Sequence, residues 1–106
     1  MTKWDNRTTE ELLEAICALK SKNEAKKFLR DLLTEQELIE FGKRWQAARM
    51  LSKAKPYSEI EKATGLSSTT VARVSRWLNQ GMGGYKLMIQ RLSNNHHHSL
   101  ALERRE

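Results

Sequence analysis

Residues 57–79 read YSEIEKATGLSSTTVARVSRWLN, which has the residue spacing of a helix-turn-helix. The first half carries the apolar anchor Ile60, and Gly65 provides a turn residue that tolerates a positive φ. The second half carries two further anchors, Val71 and Val74, on one helical face. The stretch therefore predicts two short helices that pack together across a tight turn.

Two positions in this stretch depart from the usual helix-turn-helix pattern. Glu61 stands where the tight turn commonly has a small residue, and Thr64, just before the glycine, is less apolar than usual. The motif taken alone therefore leaves an ordinary helical corner open as an alternative. The capping-box spacing of Ser58 and Glu61 predicts the start of the first helix, and Gly65 predicts its end.

The second helix of the motif begins with four hydroxyl residues, which are only moderate helix formers, and Ser67 is the predicted N-cap. With about 100° between successive residues, Val71, Val74 and Leu78 lie on one side. The opposite side is small, hydroxylated and cationic. Such a face fits the major groove of DNA, where hydroxyl groups bond phosphates or base edges and arginine reads guanine. The predicted DNA-contacting residues are Ser67, Ser68, Thr69, Thr70, Arg73 and Arg76.

The charge of the chain is concentrated in the half that contains this motif. Of a net charge of +6, residues 43–92 hold ten lysine and arginine residues against only Glu59 and Glu61. A basic half indicates an anionic partner, with a solvated basic surface as the alternative. Lys53 and Lys55, just before the motif, are predicted to bind phosphates and so to position the protein without specifying sequence.

Helical periodicity runs through the rest of the chain, and no segment has the alternation of a strand. The segments with helical apolar stripes are 8–21, 23–33, 34–53 and 85–92. Capping-box spacing joins Thr8 with Glu11 and Thr34 with Glu37, and each pair predicts a helix start. The chain is therefore expected to consist of helices joined by short connections.

Length and composition set the class of protein. A chain of 106 residues provides one domain with a core, and the pattern predicts an all-α fold of about six helices over residues 1–92. Residues 93–106 are expected to form a flexible C-terminal tail. No apolar run is long enough to span a membrane, the start lacks the layout of a signal peptide, and Cys17 is alone. A cytoplasmic location is the default expectation.

No set of side chains with catalytic or metal-binding spacing stands out in the sequence. His96, His97 and His98 are consecutive, and three consecutive residues in regular structure cannot all converge on one ion. Cys17 lies in a helical stripe and is expected to be a buried thiol, not a nucleophile. We therefore expect neither an enzyme nor a bound metal or cofactor.

The apolar stripes of the first three helices are broad for a chain of this length. Part of this apolar surface is expected to pack against a second copy, so the sequence favours a homodimer. A compact monomeric bundle is the alternative.

Two segments together are similar to a known family of proteins. They are LLTEQELIEFGKRWQAARML at 32–51 and YSEIEKATGLSSTTVARVSRWLNQGMGGY at 57–85. Over roughly residues 23–90 the chain resembles the tryptophan repressor superfamily, and ARVSRWLNQGMGGY is similar to the signature of its YerC/YecD-type branch. The resemblance implies an intertwined, all-helical homodimer that presents two recognition helices to double-stranded DNA.

The resemblance also implies the residues of an effector pocket. In the repressor, an arginine of the long third helix and one of the recognition helix flank the bound tryptophan, and Arg44 and Arg73 stand at the matching positions. Thr34 matches a threonine of the same pocket. Val74 stands where the repressor has a glycine against the indole, and Trp77 replaces a small hydroxyl residue. A small-molecule effector therefore stays open, but tryptophan is not the expected one.

The residues and the resemblance together predict a sequence-specific DNA-binding transcription regulator, acting as a repressor through a helix-turn-helix in the major groove. The alternative is a helical protein–protein interaction module, in which the motif makes protein contacts and the basic charge is incidental. A small-molecule sensor is a third hypothesis.

Overall fold

A computed structural model describes residues 3–105, with side chains described for residues 3–94. It contains six α-helices and no strand within that range, which confirms the predicted all-α fold. The helices are α1 (Arg7–Ala18), α2 (Lys22–Leu32), α3 (Glu35–Ser52), α4 (Tyr57–Thr64), α5 (Ser68–Gln80) and α6 (Gly84–Arg105). Within residues 3–105, none of these helices has both the length and the apolar character that crossing a membrane requires.

The chain divides into two compact units. The first unit ends at Ile39 and contains α1, α2 and the beginning of α3. The second unit begins at Glu40 and contains the rest of α3 together with α4, α5 and α6. The stretch 57–79 therefore lies wholly within the second unit.

The cap of α1 differs from the predicted one. Asn6 is the N-cap: its side-chain oxygen accepts the N–H of Thr9 at 3.0 Å, and the Thr9 hydroxyl accepts the N–H of Asn6 at 2.9 Å. The prediction that Thr8 and Glu11 form the capping box is therefore wrong, because Asn6 satisfies the first amide groups before the chain reaches Thr8.

The start of α3 is fixed by the predicted capping box, which is confirmed. The Thr34 hydroxyl accepts the N–H of Glu37 at 3.1 Å, and Glu37 Oε1 accepts the N–H of Thr34 at 2.9 Å. Hydrogen bonds to Thr34 stabilise the Glu37 carboxylate and lower the pKa of Glu37 below its ordinary value. The bond from the Thr34 backbone N–H has the larger effect, and the bond with the Thr34 side chain has the smaller one. Thr34 is therefore engaged as a helix cap.

The helices of the first unit contain no buried residue. Their apolar stripes form as predicted, but Leu13 remains 49% exposed and Leu32 47% exposed, and Ile39 at the end of the unit is 59% exposed. Cys17 is also exposed, so the expectation of a buried thiol is wrong, because α1 has no fully covered face within this unit. The first unit therefore presents apolar surface that its own residues do not cover.

The core of the second unit joins the middle of α3 to the helix-turn-helix. Its buried cluster consists of Ala47, Ala48, Ile60, Leu66, Val71 and Val74. The predicted anchors Ile60, Val71 and Val74 are each 2% exposed or less, which confirms their place in the core. Trp45 and Tyr85 pack against the cluster, and their rings stack with centroids 6.2 Å apart. α4 packs against α5, and α5 packs against α6.

The break between α5 and α6 depends on Gly81. The Gly81 N–H donates to the Trp77 carbonyl at 2.9 Å, and a Cβ at this position would collide with the same carbonyl. Only glycine therefore allows the chain to leave α5 by this path.

The last helix is longer than expected. We predicted a helix end near residue 92, but α6 is helical to Arg105, so that boundary is wrong. The physical reason is that SNNHHHSLALERRE, at 93–106, contains no glycine or proline that would stop a helix. The flexibility of 93–106 stays a prediction, and His96, His97 and His98 lie outside the residues whose side chains are described.

Candidate nucleic-acid interface

The first helix of the motif, α4, begins directly after Pro56. Pro56 is the N-cap, without a side-chain capping bond, and its carbonyl accepts the N–H of Ile60 at 3.2 Å. Ser58 lies inside the helix, so the predicted capping box of Ser58 and Glu61 is wrong. The fixed φ of proline places the chain in a geometry from which the helix starts at Tyr57, two residues earlier than a cap at Ser58 would allow.

The turn of the motif is built by Gly65 and Thr64. Gly65 has a φ of 76° and donates its N–H to the Glu61 carbonyl at 2.8 Å, which confirms the predicted left-handed helix end. The hydroxyl of Thr64, which is 5% exposed, donates to the Ile60 carbonyl at 2.7 Å and accepts the N–H of Leu66 at 3.2 Å. A polar residue before the glycine therefore satisfies two backbone groups inside the turn, which an apolar residue could not do.

The hydroxyl residues at the start of α5 divide into two pairs. Ser67 is the N-cap, as predicted: its hydroxyl accepts the N–H of Thr70 at 3.2 Å and donates to the Thr70 hydroxyl at 3.0 Å. Ser68 and Thr69 are exposed, and neither their hydroxyl nor their amide groups donate to an acceptor within residues 3–94. Ser68 and Thr69 are therefore free to contact an outside partner, together with the amides of the first helical turn.

The outer face of α5 carries its two arginines. Arg73 and Arg76 are exposed, and within the described side chains neither forms an ion pair with a carboxylate. The guanidinium of Arg76 lies 5.6 Å from the centre of the Trp77 ring, which is half exposed beside it. The buried residues Val71, Val74 and Leu78 lie on the other side of the helix, so its two faces separate as predicted.

Lys53 and Lys55 lie in the connection between α3 and α4. Lys53 is exposed, and the chain turns at Ala54, which has a φ of 58°. Lys55 forms an ion pair with Glu59 at 3.9 Å, with both side chains about half exposed. Exposed pairs of this kind contribute roughly 0–1 kcal/mol, so a phosphate can replace the carboxylate at little cost.

A cation of α3 that lies near the motif was not assigned from the sequence. Lys43 extends from α3, and its Nζ lies 4.0 Å from the position that a Cβ on Gly65 would occupy. A signal was present in the sequence: Lys43 precedes Ala47 by one helical turn, and Ala47 is small enough to pack closely in a core. That spacing does not predict that α3 lies close to the turn at Gly65.

The three residues of the predicted effector pocket have different surroundings. Thr34 caps α3, and Arg73 is exposed on α5. Arg44 is half-buried with its guanidinium 5.7 Å from the centre of the Phe41 ring, and its Nε is buried with no acceptor in the described part of the chain. One turn earlier, Glu40 Oε2 is also buried without a donor. Arg44 therefore offers an unpaired donor, with a carboxylate on the same helix face.

Metal ligands do not cluster in the described side chains, since residues 3–94 contain no group of three His, Cys, Asp or Glu residues that could hold an ion. The polar groups around the motif are cations, hydroxyls and free amides. This combination binds anions and has no arrangement of a base with a nucleophile.

Comparisons with known proteins bear on this site. Residues 7–93 match the family model of the Trp repressor protein. The uncharacterized protein YerC of Bacillus subtilis (strain 168) is 34% identical over 90 residues, which cover 85% of this chain and 86% of YerC. The crystal structure of a TrpR like protein from Eubacterium eligens ATCC 27750 has a TM-score of 0.82 and 36% identity, covering 86% of this chain and 94% of that chain. The crystal structure of a candidate Trp repressor from Staphylococcus aureus has a TM-score of 0.81 and 29% identity, covering 88% of this chain and 96% of that chain.

The fold and the site therefore define a helix-turn-helix protein with a Trp repressor-like architecture. The chain belongs to the Trp repressor protein family, because the family model matches most of its length. The similarity to YerC confirms the resemblance to the YerC/YecD-type branch.

The turn generates a prediction for Thr64. Thr64→Val keeps the side-chain shape but leaves the N–H of Leu66 without its acceptor, so we expect a loss of about 1–3 kcal/mol in the free energy of unfolding. Thr64→Ser keeps the hydroxyl and serves as the matched control, with a loss of about 0.8 kcal/mol for the missing methyl group. Urea unfolding at fixed protein concentration measures both, and a valine variant as stable as the parent chain would contradict the role of the hydroxyl.

Proposed function

We propose that the protein is a sequence-specific DNA-binding transcription regulator, acting as a repressor, with α5 as the recognition helix in the major groove. The observation that carries this proposal is the division of α5 into two faces. One face is buried in the core through Val71 and Val74, and the other presents exposed hydroxyls and arginines with no carboxylate partner within residues 3–94. Membership of the Trp repressor protein family supports the same function.

The proposed contacts divide according to chemistry. Arg73 and Arg76 are proposed to read base edges, since a guanidinium can bond guanine with two parallel hydrogen bonds. Ser68 and Thr69 are proposed to contact phosphates or base edges at the start of α5, where free amides and the helix dipole also favour an anion. Ser67 and Thr70 hold the cap. We propose that the Thr70 hydroxyl, which keeps its own proton, donates to a phosphate or base edge, and that the Ser67 oxygen accepts from a base amino group. Lys53 and Lys55 are proposed as phosphate contacts.

We also propose that the functional form is a homodimer. The exposed apolar residues of the first unit support this proposal, because α1 and α2 contain no buried residue of their own. A helix-turn-helix dimer presents two recognition helices to two half-sites, so the dimer makes about twice as many DNA contacts as one chain makes alone. A second copy is therefore the partner that the uncovered apolar surface of the first unit suits best.

The DNA proposal predicts different losses for an arginine and a lysine. Arg73→Ala should lower the affinity for the preferred sequence by about 1–3 kcal/mol and reduce discrimination against other sequences, whereas Lys53→Ala should weaken all duplexes alike. With about six to ten phosphate contacts, the parent chain should lose roughly 10³–10⁵-fold in affinity between 50 and 200 mM salt. The preferred sequence is first selected from a genomic DNA library, and affinities are then measured by fluorescence anisotropy.

The same measurements separate this function from the alternative of a protein–protein interaction module. Such a module would bind duplex DNA weakly, and random duplex would compete as well as any selected sequence. Duplex binding that neither substitution changes would show that α5 is not the docking face.

The dimer proposal predicts a stability that depends on protein concentration. If the interface belongs to the fold, the thermal midpoint should rise as the concentration is raised, because association stabilises the folded state by mass action. Circular dichroism over a hundredfold range of concentration measures the midpoint, and sedimentation measures the mass. A midpoint independent of concentration together with a monomeric mass would rule out the dimer.

The last prediction of this function is that free tryptophan is not the effector. Val74 is 2% exposed and belongs to the core, so its isopropyl group cannot move aside for an indole, and overpacking costs typically about 1–3 kcal/mol. The unpaired Nε of Arg44 favours a small anionic effector instead, whereas the unpaired Glu40 carboxylate on the same helix face disfavours one, so these two groups together select no effector. Calorimetry with millimolar tryptophan should show no saturable heat, and DNA affinity should be the same with and without it. A tenfold gain in operator affinity on adding tryptophan would overturn this expectation.

A further inference from the structure

Lys43 is separated from the helix-turn-helix in sequence but lies at its turn in the structure. Its Nζ is 4.0 Å from the position of a Cβ on Gly65, the residue that ends α4. The side chain is exposed, and within the described side chains it pairs with no carboxylate at 4 Å or less. An unpaired ammonium group therefore stands beside the turn that leads into α5.

The position of Lys43 is fixed by the packing of α3. Ala47, one helical turn after Lys43, is 0% exposed, and so is the adjacent Ala48. Both alanines belong to the same buried cluster as Ile60 and Val71, which anchor the two helices of the motif. Because residues one turn apart share a helix face, the backbone of Lys43 lies at the edge of this buried cluster, from which its side chain reaches the turn.

We propose that Lys43 is a phosphate-binding residue of the DNA interface, contributed by α3 and not by the helix-turn-helix itself. The first helix of such a motif crosses the DNA backbone. α4 has eight residues and is about 12 Å long, with Lys55 at its N-terminal end. Lys43 lies beside its C-terminal end, where Lys62 of the last turn of α4 is a second cation. Cations at both ends of the crossing helix fix its direction over the backbone. This inference rests on the proposed DNA binding.

The chemistry of lysine decides what the interaction contributes. An ammonium is a compact point charge that binds a phosphate oxygen without directional readout of a base. Lys43 should therefore contribute equally to the preferred sequence and to random duplex. Without it, each bound protein copy should release one fewer counterion from the DNA.

The test compares three variants of the full chain. Lys43→Gln removes the charge and keeps most of the aliphatic stem, and Lys43→Arg keeps the charge. Lys86→Gln is the matched control, because Lys86 is an exposed lysine of α6 with no carboxylate partner in the described part of the chain. Affinities for the selected operator and for random duplex are measured across a salt series, and thermal midpoints check that each variant folds like the parent.

We expect Lys43→Gln to bind both duplexes more weakly, with the slope of log affinity against log salt reduced by about 0.9 for each phosphate that is no longer neutralised. Lys43→Arg should keep the slope and Lys86→Gln should leave it unchanged. A slope for Lys43→Gln equal to that of the parent chain, or a weakening confined to the selected operator, would overturn this inference while leaving the proposed function intact. Absence of duplex binding by the parent chain would overturn both.

Discussion

The buried cluster that two alanines of α3 share with the helix-turn-helix is the constraint on which the second unit depends. Ala47 and Ala48 are completely buried against a cluster that includes Ile60, Val71 and Val74. The cluster covers the inner faces of α4 and α5, so Val74 is buried while Arg73 and Arg76 remain exposed.

The start of α5 shows how a locally weak helix can be maintained for a surface role. Four consecutive hydroxyl residues give little helix propensity, so the helix depends on tertiary packing for most of its stability. Val71 and Val74 supply that packing within the first two turns. Ser67 and Thr70 close the cap, which leaves Ser68 and Thr69 as small exposed polar groups that allow another surface to approach closely.

Both units leave large apolar side chains uncovered. The first unit exposes Leu13 and Leu32, and the second buries the anchors of the motif but exposes Trp77 and Met82 along with the cations of α5. Under the proposed function the apolar surface of α1 and α2 packs against a second copy, and the outer face of α5 binds DNA. The geometry of the dimer would then set the spacing of the DNA half-sites, because two recognition helices can act together only at a fixed separation.

Local patterns in the sequence determined most of the fold. The helical period identified the segments, and the spacing of Ile60, Gly65, Val71 and Val74 identified the helix-turn-helix, because each of these signals acts within a few residues. The caps at Ser67 and Thr34 were predicted for the same reason, and the structure confirms both. Where a competing residue stood nearby, at Asn6 and Pro56, the sequence pattern selected the wrong cap. The DNA-binding roles of the arginines and lysines remain predictions, since no bound partner tests them.

Only the tertiary structure decided which distant residues meet and which side chains remain exposed. Lys43 reaches the turn because α3 packs on the motif through Ala47, and no spacing along the chain specifies that pairing. In the sequence, Thr64 is a polar residue where the motif usually has an apolar one. In the structure, its hydroxyl donates to the Ile60 carbonyl and accepts the N–H of Leu66. Cys17 is exposed because no element of its own unit covers that side of α1. Sequence periodicity specifies which residues lie on the same face of a helix. The neighbours of a residue in other helices, and its exposure, depend on how the helices pack in three dimensions.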